Sequence, residues 1–136
     1  MITKNELLDY KYLKDEIENI KNRIDELYSN ITSIQSPIIS DMPVNHNNCD
    51  FDKIGKAICK LDELREMYSD KLCKLIDYQT FIESEIDKLP INFRNIIRYR
   101  YIDCMSWDQI CAKMTCSWKT VHRYHGKALK LLEDKN

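Results

Sequence analysis

The sequence is poor in the residues that make tight turns, with only two glycines and three prolines in 136 residues. Such scarcity argues against a β-sandwich or barrel, which needs many turns. No apolar run approaches the roughly 20 residues that span a bilayer, and the N-terminal stretch is too charged for a signal peptide. We therefore expect an all-α cytoplasmic protein that has no membrane partner.

Sequence patterns of catalysis and of cofactor binding are also scarce. Two glycines leave no room for a phosphate-cradling loop, and the six cysteines include no Cys-x-x-Cys pair. His122 and His125, taken with Cys111 and Cys116, match no standard zinc-finger spacing. In the cytoplasm the cysteines are expected to be reduced thiols. We predict that the protein is not an enzyme and has no catalytic residues, no metal site and no cofactor.

Charge is distributed unevenly along the chain, although the net charge is only −1. Residues 1–88 contain 12 basic and 18 acidic side chains, whereas residues 89–136 contain 9 basic and 4 acidic ones. A basic C-terminal part that follows an acidic part suggests that only the C-terminal part meets a polyanion.

Residues 1–88 carry a heptad pattern of apolar side chains, which predicts an acidic arm of two long helices for oligomerisation or interaction. The first helix is predicted from about residue 3 to 36 and the second from 51 to about 88, with a loop at 37–50. The two helices can fold back on each other within one chain, or they can pair between chains. Both arrangements bury the same seam.

Residues 89–136 predict a compact helix-turn-helix domain. Pro90 ends the long second helix, because the residue before a proline is pushed out of the α region. Ser106 and Gln109 have the spacing of a capping box, and Ser117 can cap the helix after the turn. Three short helices are predicted, at 92–102, 106–114 and 117–133.

The last helix is the predicted DNA-reading element. Ile110 and Val121 fall where the two helices of the motif must pack, so the other side of the last helix should face outward. Arginine and lysine side chains can donate to phosphates and base edges. The predicted DNA-binding residues are Ser117, Trp118, Lys119, Thr120, His122, Arg123 and Lys127 on this helix, with Lys113 beside it.

Other aromatic and basic residues of the domain receive structural or supporting roles. Trp118 follows the helix cap and should either point outward or pack on the third helix. Arg98 or Arg100 is expected to reach a flanking phosphate. The aromatic residues assigned to the core are Tyr99, Tyr101, Trp107 and Tyr124.

The same segment resembles region 4 of sigma-70-type factors over about the last third of the chain. The resemblance rests on Leu89-Pro90, on the Arg100-Tyr101 end of the third helix, on Trp107-x-x-Ile110, and on the tail Ala128-Leu129-x-x-Leu132. With its acidic helical N-terminal part, the chain is similar to phage late transcriptional regulators of the RinA/ArpU type. This resemblance implies binding to a phage promoter or operator, and it permits contact with RNA polymerase.

Two features depart from that family. Thr115 lies in the turn where the family usually has glycine, and a β-branched residue is poor at positive φ. We therefore expect a wider turn or a different end of the preceding helix. Residues 1–88 also do not resemble sigma region 2, so a complete sigma factor is not expected.

The sequence thus predicts a sequence-specific transcriptional regulator that binds double-stranded DNA as a homodimer. Two other functions remain open. A DNA-packaging recognition subunit of the small-terminase type also joins a helix-turn-helix to an oligomerising helix. A protein that binds RNA polymerase or a sigma factor without binding DNA could use the same domain as an interaction module.

Overall fold

The computed structural model describes residues 1–35 and 48–134, which form helices and no strand. The prediction of an all-α fold with a long helical arm and a compact helical domain is confirmed. Most of the predicted loop at 37–50 lies outside the described residues, and residues 48–50 already belong to the second helix. The helices are α1 (Lys4–Gln35), α2 (Asn48–Ile86), α3 (Ile91–Ile97), α4 (Trp107–Met114) and α5 (Trp118–Glu133), and a π-helix (Arg98–Ile102) continues α3.

Within these described ranges, no helix combines the length and the apolar character needed to cross a membrane.

Three of the helices start at side-chain caps, and two of these caps are the ones that the sequence predicts. The Thr3 hydroxyl accepts from the Glu6 backbone N–H at 3.3 Å, and the Thr3 N–H donates to the Glu6 carboxylate at 2.7 Å. Ser106 and Gln109 form the same reciprocal capping box at the start of α4. Ser117 accepts from a backbone N–H in the first turn of α5. These caps satisfy backbone donors that a helix start would otherwise leave unpaired.

The predicted third helix is not a single α-helix. After Ile97 the backbone hydrogen bonds join residues five positions apart instead of four. The Asp103 N–H, for example, donates to the Arg98 carbonyl at 2.9 Å. A π-helical turn accommodates one more residue than an α-helical turn, so it changes the direction of the side chains that follow. This local change places Tyr101 and Ile102 in the core.

The chain divides into two compact units. The second unit, Glu16–Leu72, contains in its described part the longer stretches of α1 and α2. The two helices pack antiparallel there, since Glu16 near the start of the α1 stretch pairs with Lys71 at the end of the α2 stretch. Its buried apolar residues are Ile17, Ile20, Ile31, Leu61 and Leu64.

The first unit is larger than the predicted domain at 89–136, because it also takes in residues 1–15 and 73–88. The start of α1 packs against the end of α2, where the Tyr78 hydroxyl donates to the Glu6 carbonyl at 2.7 Å. The residues before α1 reach α5, where the Ile2 N–H donates to the Leu132 carbonyl at 3.3 Å. The helix-turn-helix is therefore built onto the base of the hairpin.

Much of the heptad seam is covered inside the chain, although Ile58 remains 41% exposed. In both units α1 contacts α2 of the same molecule, so the structure shows the intrachain hairpin, one of the two arrangements left open by the sequence. An apolar seam buried in this way is not available for an interchain coiled coil. The homodimer remains a prediction, and it would need another surface.

Candidate nucleic-acid interface

The turn between α4 and α5 has three residues, and Thr115 adopts the left-handed conformation with φ 52° and ψ 36°. The Cys116 N–H donates to the Cys111 carbonyl at 3.2 Å, which closes the end of α4 across this residue. Helices commonly end with this backbone hydrogen bond when the residue after the helix is glycine. The expectation of a wider turn or a different helix end was therefore wrong: threonine takes the glycine conformation.

Ser117 and Thr120 hold the first turn of α5. The Ser117 hydroxyl accepts from the Thr120 N–H at 3.3 Å, and the two hydroxyl oxygens lie 2.9 Å apart. Both side chains are therefore engaged in the helix cap. A contact from either hydroxyl to DNA would have to share the oxygen that already serves the cap.

The side of α5 opposite its packing face is exposed and basic. Val121, Ala128 and Leu132 are buried against the rest of the first unit. Glu133, at the last position, is the one acidic residue within α5. Besides the cap residue Ser117, the predicted residues that the structure leaves exposed are Trp118, Lys119, Arg123 and Lys127 on α5 and Lys113 on α4.

Two of these cations lie against aromatic rings. The Arg123 guanidinium carbon is 5.4 Å from the centroid of the Tyr124 ring, and the Lys113 ammonium is 4.9 Å from that of Tyr99. A ring that supports a long cationic side chain reduces the conformational freedom lost when the cation binds an anion. Arg123 and Lys113 are therefore the better ordered members of the exposed basic set.

His122 does not face outward as predicted. Its ring lies between two indoles, with centroid distances of 4.2 Å to Trp107 and 3.8 Å to Trp118. Its Nε2 atom is buried and has no hydrogen-bond partner among the described residues. Because the two indoles attract the imidazole to the side of α5, His122 supports the exposed face and does not form part of it.

Trp118 is 60% exposed at the start of α5. Of the two positions considered for it, the structure shows the outward one, with one side of the indole resting on His122. An exposed indole beside cationic side chains offers an apolar surface for a thymine methyl group or a sugar.

Behind this face, Tyr101 and His125 form a buried hydrogen-bonded pair, with 2.8 Å between the hydroxyl oxygen and Nε2. Burial raises the pKa of Tyr101 to about 12. Burial, aided by the charges of Lys4, His122 and Arg100, lowers the pKa of His125 to about 4. His125 is therefore neutral at physiological pH and serves the core.

The other three aromatic residues assigned to the core are only half-buried: Tyr99, Trp107 and Tyr124. Each lies against a neighbouring ring or cation, so each is partly covered without being enclosed. Of the predicted aromatic core, Tyr101 alone is fully buried.

Arg98 and Arg100 have partners within the protein. Arg98 donates to the carboxylates of Glu83 at 2.8 Å and Asp87 at 2.9 Å, which raises its pKa. Arg100 donates to the Met105 carbonyl and covers the Trp107 ring at 4.5 Å. Arg98 is therefore neutralised by two carboxylates, whereas Arg100 is held against an indole ring and keeps a charge that is unpaired among the described residues.

The described part of the chain contains no group of three or more His, Cys, Asp or Glu side chains that could hold a metal ion. His125 is turned toward Tyr101, and the nearest neighbours of His122 are indole rings. No metal-dependent role is assigned to either residue.

The chain belongs to a family described as a protein of unknown function (DUF1492), whose model matches residues 52–133. The match takes in nearly all of α2 together with α3, α4 and α5. No curated protein and no solved structure shows significant similarity to the chain. The family description assigns no activity, so a function has to be argued from the site itself.

Proposed function

We propose that this protein is a sequence-specific regulator of transcription that binds double-stranded DNA through α5. The proposal rests on one observation, the contrast between the buried and the exposed side of this helix. Its inner side is anchored by Val121, Ala128 and Leu132, while its exposed side carries Trp118, Lys119, Arg123 and Lys127, and its single acidic residue is Glu133 at the last position. A helix held in this way after a three-residue turn is what docking in a major groove requires.

In this proposal the residues of the outer face have different roles. Arg123, supported by the Tyr124 ring, reads a base edge, and guanine is the base that an arginine reads best. Lys113, Lys119 and Lys127 neutralise phosphates and set the position of the helix on the duplex. Trp118 contributes apolar contact at the start of the helix.

The proposal includes a homodimer, because one such small module makes few base contacts for tight and specific binding. Since the heptad seam is used within the chain, the second copy would join through a different surface. A phage origin and a contact with RNA polymerase rest on the resemblance to sigma region 4 and to the phage late regulators alone.

Selection from a random pool of duplex DNA with the full-length protein tests the proposal. The wild type should enrich one site, and Arg123→Ala should lose about 1–3 kcal/mol of binding free energy and relax one base position of that site. Arg65→Ala, which removes an exposed arginine from α2, is the matched control and should behave as the wild type. Failure of the wild type to enrich any sequence at low salt would reject DNA reading.

A further inference from the structure

A cavity of about 350 Å³ lies in the first unit, behind the exposed face of α5. This volume is at the lower end of the range for pockets that hold small molecules. None of its described lining residues is acidic. The polar and aromatic side chains that line it are Lys4, Arg100, Tyr101, Trp107, His122 and His125.

The positive charge of this cavity is not balanced. Arg98 is paired with two carboxylates, whereas neither Arg100 nor Lys4 forms an ion pair within the described part of the chain. Both charges are felt inside the cavity, since they help to lower the pKa of His125. Two unpaired cations that face one half-enclosed space favour an anion there, because screening by water is reduced.

Aromatic surface forms another side of the cavity. The Trp107 indole lies against Arg100, His122 and His125, at 4.2 Å and 4.8 Å between centroids for the two histidines. His122 lacks a partner for Nε2, and a buried polar atom left unpaired is costly. A ligand that has a flat ring to pack on the Trp107 indole and a group to pair with His122 Nε2 would suit this side of the cavity better than water.

We infer that this cavity binds a small aromatic anion, a one- or two-ring compound that carries a carboxylate or a phosphate. The anionic group lies between the Arg100 guanidinium and the Lys4 ammonium, and the ring lies along Trp107 beside His122. The binding is separate from DNA recognition and does not depend on it, because the cavity residues are distinct from Arg123, Lys119 and Lys127.

Fluorescence of the full chain tests the inference. Trp118→Phe leaves Trp107 as the only tryptophan, so its emission reports on the cavity wall. Benzoate and phenyl phosphate should each change this emission with a saturable dependence on concentration, and their relative affinities tell which anionic group is preferred. Benzamide, which keeps the ring without the charge, and inorganic phosphate, which keeps the charge without the ring, should bind at least about tenfold more weakly.

Charge reversal provides the second measurement. Lys4→Glu changes an exposed side chain at the first position of α1, and it should weaken the binding of benzoate or phenyl phosphate about tenfold or more. Lys74→Glu, an equal change at an exposed position of α2, should leave binding unaltered. No response to either aromatic anion, or equal losses in the two variants, would overturn the inference. Its rejection would leave the DNA selection unaffected, since that experiment contains no ligand.

Discussion

The hydroxyl of Tyr101 and the Nε2 atom of His125 are 2.8 Å apart in the core of the first unit. This hydrogen bond connects the π-helical segment before the helix-turn-helix to the middle of α5. The rings also stack, with centroids 5.7 Å apart. The pair therefore fixes the rotation of α5 about its own axis, and that rotation decides which side chains face outward.

We expect the buried His125 to make stability depend on pH. In the unfolded chain His125 has an ordinary pKa of about 6.5, whereas in the folded protein it is about 4. Between these values the unfolded state binds more protons, so stability falls as pH falls from about 6.5 to about 4. The loss should reach about 3 kcal/mol, measured as the free energy of unfolding in urea at a series of pH values.

His125→Gln, which can still bond to the Tyr101 hydroxyl, should lack this contribution between pH 6.5 and 4. A different loss sets in at lower pH, because hydrogen bonds from Lys88 and the Met1 amine lower the pKa of Glu85. That loss should remain in the variant. If the free energy of unfolding of variant and wild type depended on pH in the same way between pH 6.5 and 4, the role given to His125 would be contradicted.

Binding to DNA should depend strongly on salt. A few phosphate contacts give a slope of log affinity against log salt of roughly −4 to −6, at about 0.9 for each phosphate. Lys113→Ala should reduce this slope by about 1 and weaken all sequences alike, because a phosphate contact carries no sequence information. Anisotropy titrations would measure this, with Lys21→Ala on α1 as the control. A flat salt response of the wild type would count against DNA binding.

Replacing Thr115 by glycine should stabilise the protein. The left-handed conformation of Thr115 brings its Cβ close to backbone atoms, a cost of roughly 1–2 kcal/mol that glycine avoids. Glycine loses part of this gain through the greater freedom of the unfolded chain, so a net gain of about 1 kcal/mol is expected in urea unfolding. Thr80→Gly, inside α2, should instead destabilise. Equal effects of the two variants would refute the turn geometry.

A charge placed in the hairpin seam should loosen the arm without changing the association state. Ile20 is 5% exposed, and Ile20→Asp would bury a carboxylate without a partner, which costs several kcal/mol. Helical circular dichroism should decrease and the urea midpoint should fall, while the molar mass from light scattering stays as in the wild type. Asn19→Asp, at the exposed neighbouring position, is the control. A variant with half the wild-type mass would show that the seam pairs between chains.

Local signals in the sequence predicted the helix-turn-helix well. Ser106, Gln109 and Ser117 mark helix starts through hydrogen bonds to residues only three positions away, so their geometry is contained in a short stretch of chain. Ile110 and Val121 are fully buried as expected. Six of the eight proposed DNA-binding residues are exposed, because the helical period indicates which side of α5 faces the core.

Features that depend on distant partners were not predicted. A heptad pattern states that a seam is buried but does not identify the partner, so the hairpin and the packing of residues 1–15 could not be derived from it. His122 was assigned to the outer face because the attraction of two indoles, one of them on α4, has no local signature. The cavity needs Lys4 and Arg100, which are far apart in the chain. The burial of His125 could have been predicted from the sequence, since Val121 and Ala128 lie four and three positions away on the same side of α5.

The hydrogen bond from Ile2 to Leu132 affects when the first unit can fold during synthesis. Its partners lie far apart in the chain, and folds closed by such distant contacts form slowly. The α1–α2 hairpin can assemble while α5 is still inside the ribosome, but the unit that contains the helix-turn-helix cannot. A ribosome that stalls before residue 132 would therefore release a chain with a formed arm and an open, apolar base. Such a chain would be a substrate for chaperones and proteases.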